Sequence, residues 1–352
     1  MKWKWFTIPL LICVFLLGAC QSGQGAKEGL PVEEKPLTRT ETLLHTVVQI
    51  SIYHKDQEDV MEEGLAYIKE MERLLSTNLE GSDIYRINHA AGKEAVKVDP
   101  RTFELIEQAL EMGEKSDGRF DVSIGAINNL WKIGSEDARK PSDQEIQTAL
   151  PHINYKDVKL DKKGQTVAVK AGMILELGAI SKGYIADGVK ALFESKGITT
   201  AIINLGGNVV VMGSSPAHKE GWKVGVQDPD EIRGTVVGSV YVKDGSVVTS
   251  GIYERYFEVD GVIYHHILDP ATGYPVENNI SGVTVFTKTS TQGDALSTTL
   301  FLLGIDKGRA FIDQLEDVEA VFVDKERGVH LSKGLKDRFE LSNKEYHLVN
   351  DE

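Results

Sequence analysis

Seven short runs rich in valine, isoleucine, tyrosine and threonine follow one another over 200–204, 209–212, 222–226, 236–242, 256–259, 262–268 and 282–286, separated by glycine and aspartate turns. Runs of this length and residue type read as strands. Helical spacing lies mostly to either side of them. Val60, Gly64, Leu65, Ile68, Met71 and Leu75 recur on one helical face after a strand at 47–53. Asp99 followed by Pro100 opens a second helix through 116, and Ser142 with Glu145 forms the capping box of a third. Two further strands, 158–160 and 166–169, precede a helix over 180–195, which Gly197 is placed to stop. Helices at 291–303 and 306–315 lead to a last strand at 320–323. Runs of strands beside runs of helices predict an α+β fold. No internal repeat and no linker divides the body.

The N-terminus reads differently. Lys2 and Lys4 precede an apolar run over 6–17 broken only by Thr7 and Pro9, the pattern of a signal peptide and not of a spanning helix. Leu17-Gly18-Ala19-Cys20 resembles a bacterial lipobox. Residues 1–19 are therefore expected to be removed and Cys20 to carry lipid, the alternative being an ordinary cysteine after an ordinary signal. Residues 20–37 are largely Gln, Ser, Gly, Lys, Glu and Pro and read as a flexible tether, with the folded body over 38–352. The expected location is the extracytoplasmic face of the cell membrane. Loss of the signal takes two of the 39 basic residues and none of the 53 acidic ones, moving the formal net charge from -14 to -16. Nucleic acid is a poor partner for such a chain. Cys13 lies inside the signal, so the mature chain has no pair of cysteines and depends on a packed core.

Four polar or glycine-rich clusters interrupt the framework. In Glu176-Leu-Gly-Ala-Ile-Ser-Lys-Gly-Tyr184 a strand ends and a helix begins. Such a turn either aims backbone groups at a ligand or is a plain tight connection with Lys182 solvated. Asn204-Leu-Gly-Gly-Asn208 is a hairpin turn by default, or a platform for a flat ring. Tyr264-His-His-Ile-Leu-Asp-Pro-Ala-Thr-Gly-Tyr-Pro275 offers His266 as an acid or cation near neutral pH, or as a structural imidazole. In Gly293-Asp-Ala-Leu-Ser-Thr-Thr-Leu-Phe301, Asp294 and Thr298 stand four apart on one helix face. Their oxygens suit one hard cation such as magnesium, although Asp294 could instead cap the helix.

In this order the clusters resemble the ApbE-type flavin transferases. The resemblance spans nearly the whole mature chain and takes in Leu75-Ser76-Thr77 with 82–88, Gly118-Arg119-Phe120-Asp121 with Trp131, Trp222-Lys-Val-Gly-Val with Asp228-Pro229, and Thr249-Ser-Gly251 with Arg255. It implies a single domain of antiparallel sheets and flanking helices. It implies FAD as substrate, Mg2+ as cofactor, and transfer of FMN through a phosphoester to a Thr or Ser of an exported acceptor protein, releasing AMP. The Ala179 carbonyl, Asp294 and Thr298 fall at the metal-ligand positions, and His266 and Asp294 fall beside the transferred phosphate. Leu44, Asn78, Arg119, Phe120, Asp121, Glu176, Lys182 and the backbone of Ile267 and Leu268 fall where the family holds the flavin dinucleotide. This chain departs from the family at Glu176, commonly Asp, at Asn78, commonly aromatic, and at Leu44-His45-Thr46, commonly Met-Gly-Thr.

For that reaction Asp294 is the expected proton acceptor and His266 the group stabilising charge on the phosphate or leaving group. Water in place of the acceptor would make the same site a Mg-dependent FAD pyrophosphatase giving FMN and AMP. Binding without chemistry would make it a flavin-holding lipoprotein. A solute-binding lipoprotein is disfavoured, because no two similar α/β lobes are evident.

Overall fold

The computed structural model describes residues 30–349, so the expected signal, Cys20 and most of the expected tether lie outside the described residues. The chain opens with a hairpin of β1 (Val32–Leu43) and β2 (Thr46–His54). Residues 32–37, read from composition as tether, belong to β1, with Val32 opposite His54 and Leu37 opposite Ile52. Its lysine, arginine and glutamates hide the strand in the sequence, yet charge of this kind suits the exposed sheet edge that β1 occupies.

Helix α1 (Glu58–Leu75) buries Met61, Gly64, Leu65, Ile68 and Met71, the stripe its spacing predicts. Next come α2 (Asp83–His89), β3 (Val96–Lys97), α3 (Pro100–Lys115), α4 (Gly125–Trp131) and α5 (Asp143–Ala149). Asp99 caps α3 through the Arg101 N–H, and the Ser142–Glu145 capping box of α5 is present. α2 and α4 escape sequence reading because seven residues are too few to show a period. β4 (Lys159–Asp161) and β5 (Thr166–Ala168) join β3 in a small sheet, and α6 (Ser181–Ser195) ends ahead of Gly197 at φ +83.

The strand-rich part holds β6 (Ala201–Leu205), β7 (Asn208–Met212), β8 (Trp222–Gln227), β9 (Val236–Val242), β10 (Gly245–Gly251), β11 (Tyr256–Val259), β12 (Val262–His265) and β13 (Ile280–Thr287). Two of these differ from expectation. β10 has no counterpart in the sequence reading, since a glycine and a serine at each end leave only Val247, Val248 and Thr249 as strand formers; pairing on both sides to β7 and β13 forms it. The strand expected over 262–268 stops at His265: the His266 N–H adds one more rung in the β11–β12 register, to the Arg255 carbonyl at 3.1 Å, and the chain then leaves β11 to pair Leu268 with Pro275. Then follow α7 (Ser290–Leu303), α8 (Ile305–Ile312), β14 (Glu319–Asp324), β15 (Gly328–Leu331), β16 (Glu340–Leu341) and β17 (His347–Leu348).

Nine strands form one sheet in the order β1-β2-β6-β7-β10-β13-β14-β15-β17, antiparallel except for the last pair. On one face α1 and α6 pack over β2, β6 and β7, while α7 lies across β10 and β13. The other face is covered by the sheet β16-β9-β8 through Val226, Val237, Val240 and Phe339. α7 is therefore buried nearly all round, and a polar side chain on it must find a partner inside the protein. No helix among the described residues is long and apolar enough to cross a membrane.

Candidate active site

Helices α6 and α7 meet at Gly183. A Cβ there would lie 2.2 Å from the Ser290 carbonyl oxygen and 2.8 Å from Asp294 Cβ, so only glycine allows this approach. It brings the Gly183 N–H to Asp294 Oδ2 at 2.9 Å. In a continuous helix that N–H would donate to the Ala179 carbonyl. With the N–H diverted, the Ala179 carbonyl, in the turn before α6, accepts no hydrogen bond among the described residues. Asp294 does not cap α7, whose N-cap is Thr289; its carboxylate reaches across to α6 instead. It is 4% exposed, with Lys182 Nζ 3.6 Å from Oδ1. Thr298 lies one turn further along α7, partly buried, and its hydroxyl makes no hydrogen bond among the described residues.

The end of α7 is capped from α6 by Asp187, a residue absent from the sequence reading. Its carboxylate accepts the Ser290 and Thr291 N–H groups at 2.8 Å each and the Thr291 hydroxyl at 2.6 Å. Burial raises its pKa and these hydrogen bonds oppose the rise. Its signal in the sequence is an acid one turn past Gly183 amid Ile185, Ala186 and Val189, which are all buried.

Glu176 is folded over the same turn. Oε1 accepts the Gly178 N–H at 2.8 Å and Oε2 accepts Asn128 Nδ2 of α4 at 3.3 Å. Burial raises the Glu176 pKa; the Gly178 N–H and then the charges of Arg255 and Lys182 pull it down. Lys182 donates to the Gly178 carbonyl at 3.3 Å, so its ammonium is held between this turn and Asp294.

The two histidines have opposite surroundings. His265, 8% exposed at the end of β12, donates from Nε2 to the Val276 carbonyl at 3.1 Å, accepts the Ile267 N–H on Nδ1 at 3.3 Å and meets the edge of Phe301. Every polar atom of that ring is occupied. His266 donates from Nδ1 to the Arg255 carbonyl at 3.3 Å, since a carbonyl can only accept, and this leaves Nε2 with a lone pair. Burial first, then the charges of Arg255 and His265, hold its pKa down at about 3, and burial holds His265 at about 4. His266 is thus a neutral imidazole at ordinary pH, within the field of Lys182.

The remaining expected residues divide. Arg119 lies 3.6 Å from Asp269, tying its loop to the turn after His266. The Phe120 side chain is buried in the core, and the Asp121 carboxylate takes the Ser123 N–H and hydroxyl at 2.8 and 2.6 Å and the Tyr155 N–H at 2.9 Å. What these two offer a ligand is main chain. The Ile267 carbonyl is taken by the Val276 N–H, whereas Leu268 keeps both backbone groups without hydrogen bonds among the described residues. Leu44 and His45, at φ 54 and 55, form the tight turn between β1 and β2, and Leu44 N–H donates to Glu72. That turn abuts the β6–β7 turn, where Gly206 N–H donates to Val47 and the default hairpin reading of Asn204–Asn208 holds. Asn78 is exposed on the loop after α1. No hydrogen bond or ion pair among the described residues links Leu44 or Asn78 to Glu176, Lys182, His266 or Asp294.

A sequence profile of the ApbE family matches residues 44–322. The chain belongs to the ApbE family. It is 34% identical over 353 aligned residues to the FAD:protein FMN transferase of Treponema pallidum, covering 95% of each protein. It is 38% identical over 308 residues to an FAD:protein FMN transferase of Klebsiella pneumoniae, covering 87% of this chain and 95% of that one. Its fold superposes on the ApbE protein of Thermotoga maritima with a TM-score of 0.80 at 35% identity, across 86% of this chain and 99% of the other. The apo flavinyl transferase ApbE of Pseudomonas stutzeri gives 0.77 at 26% identity, across 88% and 98%. The mixed α+β architecture predicted for an ApbE-type chain is the one present.

Proposed function

We infer that this chain is an FAD:protein FMN transferase: it moves FMN from FAD to a hydroxyl of a second protein. One observation carries this reading. The chain aligns over most of its length with transferases of that name, and its four clusters fold so that Glu176, Lys182, Asp294 and His266 share one electrostatic neighbourhood. The acceptor is a Thr or Ser side chain, whose oxygen bonds to the FMN phosphorus while the bond to the bridging oxygen breaks and AMP leaves.

The residues present fit a small hard cation. The Ala179 carbonyl and the Thr298 hydroxyl lack hydrogen bonds among the described residues, and Asp294 adds one carboxylate. Among the described residues no three His, Cys, Asp or Glu side chains gather into a metal cluster; Ala179, Asp294 and Thr298 would hold the ion as a small set of oxygen ligands, of the kind magnesium accepts alongside substrate phosphate. When bound, Mg2+ supplies the positive charge that offsets repulsion between the diphosphate and the incoming oxygen. Asp294 is occupied by Gly183 and Lys182, whereas His266 Nε2 has a free lone pair; this supports His266 taking the hydroxyl proton and Asp294 holding the cation, the reverse of the division expected from sequence. Lys182 faces the reacting oxygens, and main chain at 119–121 and Leu268 lines the nucleotide. Cys20 carries lipid and holds the enzyme at the extracytoplasmic membrane face.

The test is mass spectrometry of the full chain incubated with FAD, Mg2+ and exported proteins from its own cell. The expected result is an FMN-sized increase on a Thr or Ser of one of them and an equal amount of AMP. Free FMN with no modified protein would make the enzyme a pyrophosphatase, and no AMP at all would make it a flavin binder.

A further inference from the structure

Arg255 lies in the turn between β10 and β11, and its backbone is anchored to the reacting histidine: its carbonyl accepts both the N–H and the Nδ1–H of His266, at 3.1 and 3.3 Å. Its side chain leaves along Gly134, in the loop after α4, where a Cβ would stand 2.9 Å from Arg255 Cδ. Gly134, at φ +91, thus keeps a track open for the stem between α4, which holds Glu176 through Asn128, and His266. At the end of that track the guanidinium forms no ion pair or hydrogen bond among the described residues. This is unexpected in a chain with 53 acidic against 39 basic residues, where nearby Arg233 pairs with Glu254 at 2.7 Å and Arg119 with Asp269 at 3.6 Å. The positive charge still reaches the site, because Arg255 leads the charged groups acting on both Glu176 and His266, with Lys182 acting on both as well.

Arg255 is exposed, and a guanidinium that makes no ion pair among the described residues yet acts on Glu176 and His266 beside Lys182 is suited to a doubly charged anion, since its planar fork matches two phosphate oxygens at once. We propose that Arg255 is an anion-binding residue for the diphosphate of FAD, sharing that charge with Lys182 while its carbonyl keeps Nε2 of His266 facing the reaction. The proposal rests on the transferase reading. It explains why the residue that orients the histidine also leaves its own side chain without a partner.

The decisive measurement is the FAD dissociation constant, read from flavin fluorescence at low and high salt, for wild type, Arg255→Gln and Arg233→Gln. Each variant keeps the backbone carbonyls, so the His266 contact is retained. Arg255→Gln should weaken FAD about tenfold at low salt and show a shallower salt dependence than wild type, as expected when one screened charge pair is lost. Arg233→Gln should stay within about twofold of wild type, because its charge is already paired to Glu254 and screened at the surface. Unchanged affinity in Arg255→Gln, or a loss of equal size at both salt concentrations, would overturn the proposal. FMN transfer by wild type in the same preparation reports separately on the transferase reading.

Discussion

At the scale of single residues, the site depends on the Ala179 carbonyl, the Thr298 hydroxyl and His266 Nε2, which make no hydrogen bond among the described residues, and on the Asp294 carboxylate beside them. Asp294→Ala removes the one carboxylate of the proposed cation site and should lower transfer by orders of magnitude, far beyond the modest drop in melting temperature from freeing the Gly183 N–H, whereas Thr298→Ala, which removes a neutral oxygen, should be milder. Full activity of Asp294→Ala at saturating magnesium would remove the assignment. His266→Ala should lose at least about tenfold in turnover, roughly 1.4 kcal/mol, while FAD affinity changes little. His265→Ala is the control: its ring bonds Val276 and Ile267, so the loss should appear in melting temperature more than in turnover. The depressed His266 pKa adds a pH prediction. Burial and Arg255 keep the free-enzyme imidazole neutral down to about pH 3, so kcat/KM should show no histidine break near 6.5. Bound diphosphate favours the imidazolium and raises that pKa, so the acid limb of kcat should lie at higher pH than that of kcat/KM. Coincident limbs near 6.5 would contradict this.

At the scale of elements, the α6–α7 contact sets the positions of Asp294, Thr298 and Ala179 together. Its two ties are the Gly183 N–H to Asp294 and the Asp187 carboxylate on the first N–H groups of α7. Gly183→Ala forces a methyl against the Ser290 backbone, which cannot swing aside as a side chain would. The helices must part, at a cost of about 1–3 kcal/mol for an overpacked contact. The expected outcome is a lower melting temperature together with a weaker response of FAD binding to added magnesium. An unchanged magnesium response in a destabilised variant would separate the contact from the site. The elements that escaped sequence reading do so for local reasons: α2 and α4 are too short to show a period, β1 is charged because it is an edge, and β10 is glycine- and hydroxyl-rich because its neighbours form it.

At the scale of the whole molecule, the large sheet separates a helix layer that carries the site from a small sheet that only covers the other face. Helices α6 and α7, which carry Lys182 and Asp294, are thereby supported from behind by β6, β7, β10 and β13. β1 begins at Val32, so only residues 20–31 separate Cys20 from the folded body, fewer than composition suggests. A lipid on Cys20 would therefore keep the body close to the bilayer surface. Cys20→Ala should move the protein from the membrane pellet to the soluble fraction; retention after a high-salt wash would refute the anchor.

Local chemistry in the sequence was enough for the helix caps at Asp99 and Ser142, the stripe of α1, the hairpin at Gly206-Gly207 and the α+β class, because each depends on residues within a few positions of one another. The four clusters and their order were enough to place the chain in its family. Which atoms of those clusters remain available was decided only by tertiary structure. Whether Asp294 caps a helix or faces a ligand depends on Gly183, 111 residues away, and whether His266 is charged depends on burial and on an arginine eleven residues earlier. Hydrogen-bond satisfaction and desolvation are properties of what surrounds a group, and those surroundings are assembled from distant parts of the chain.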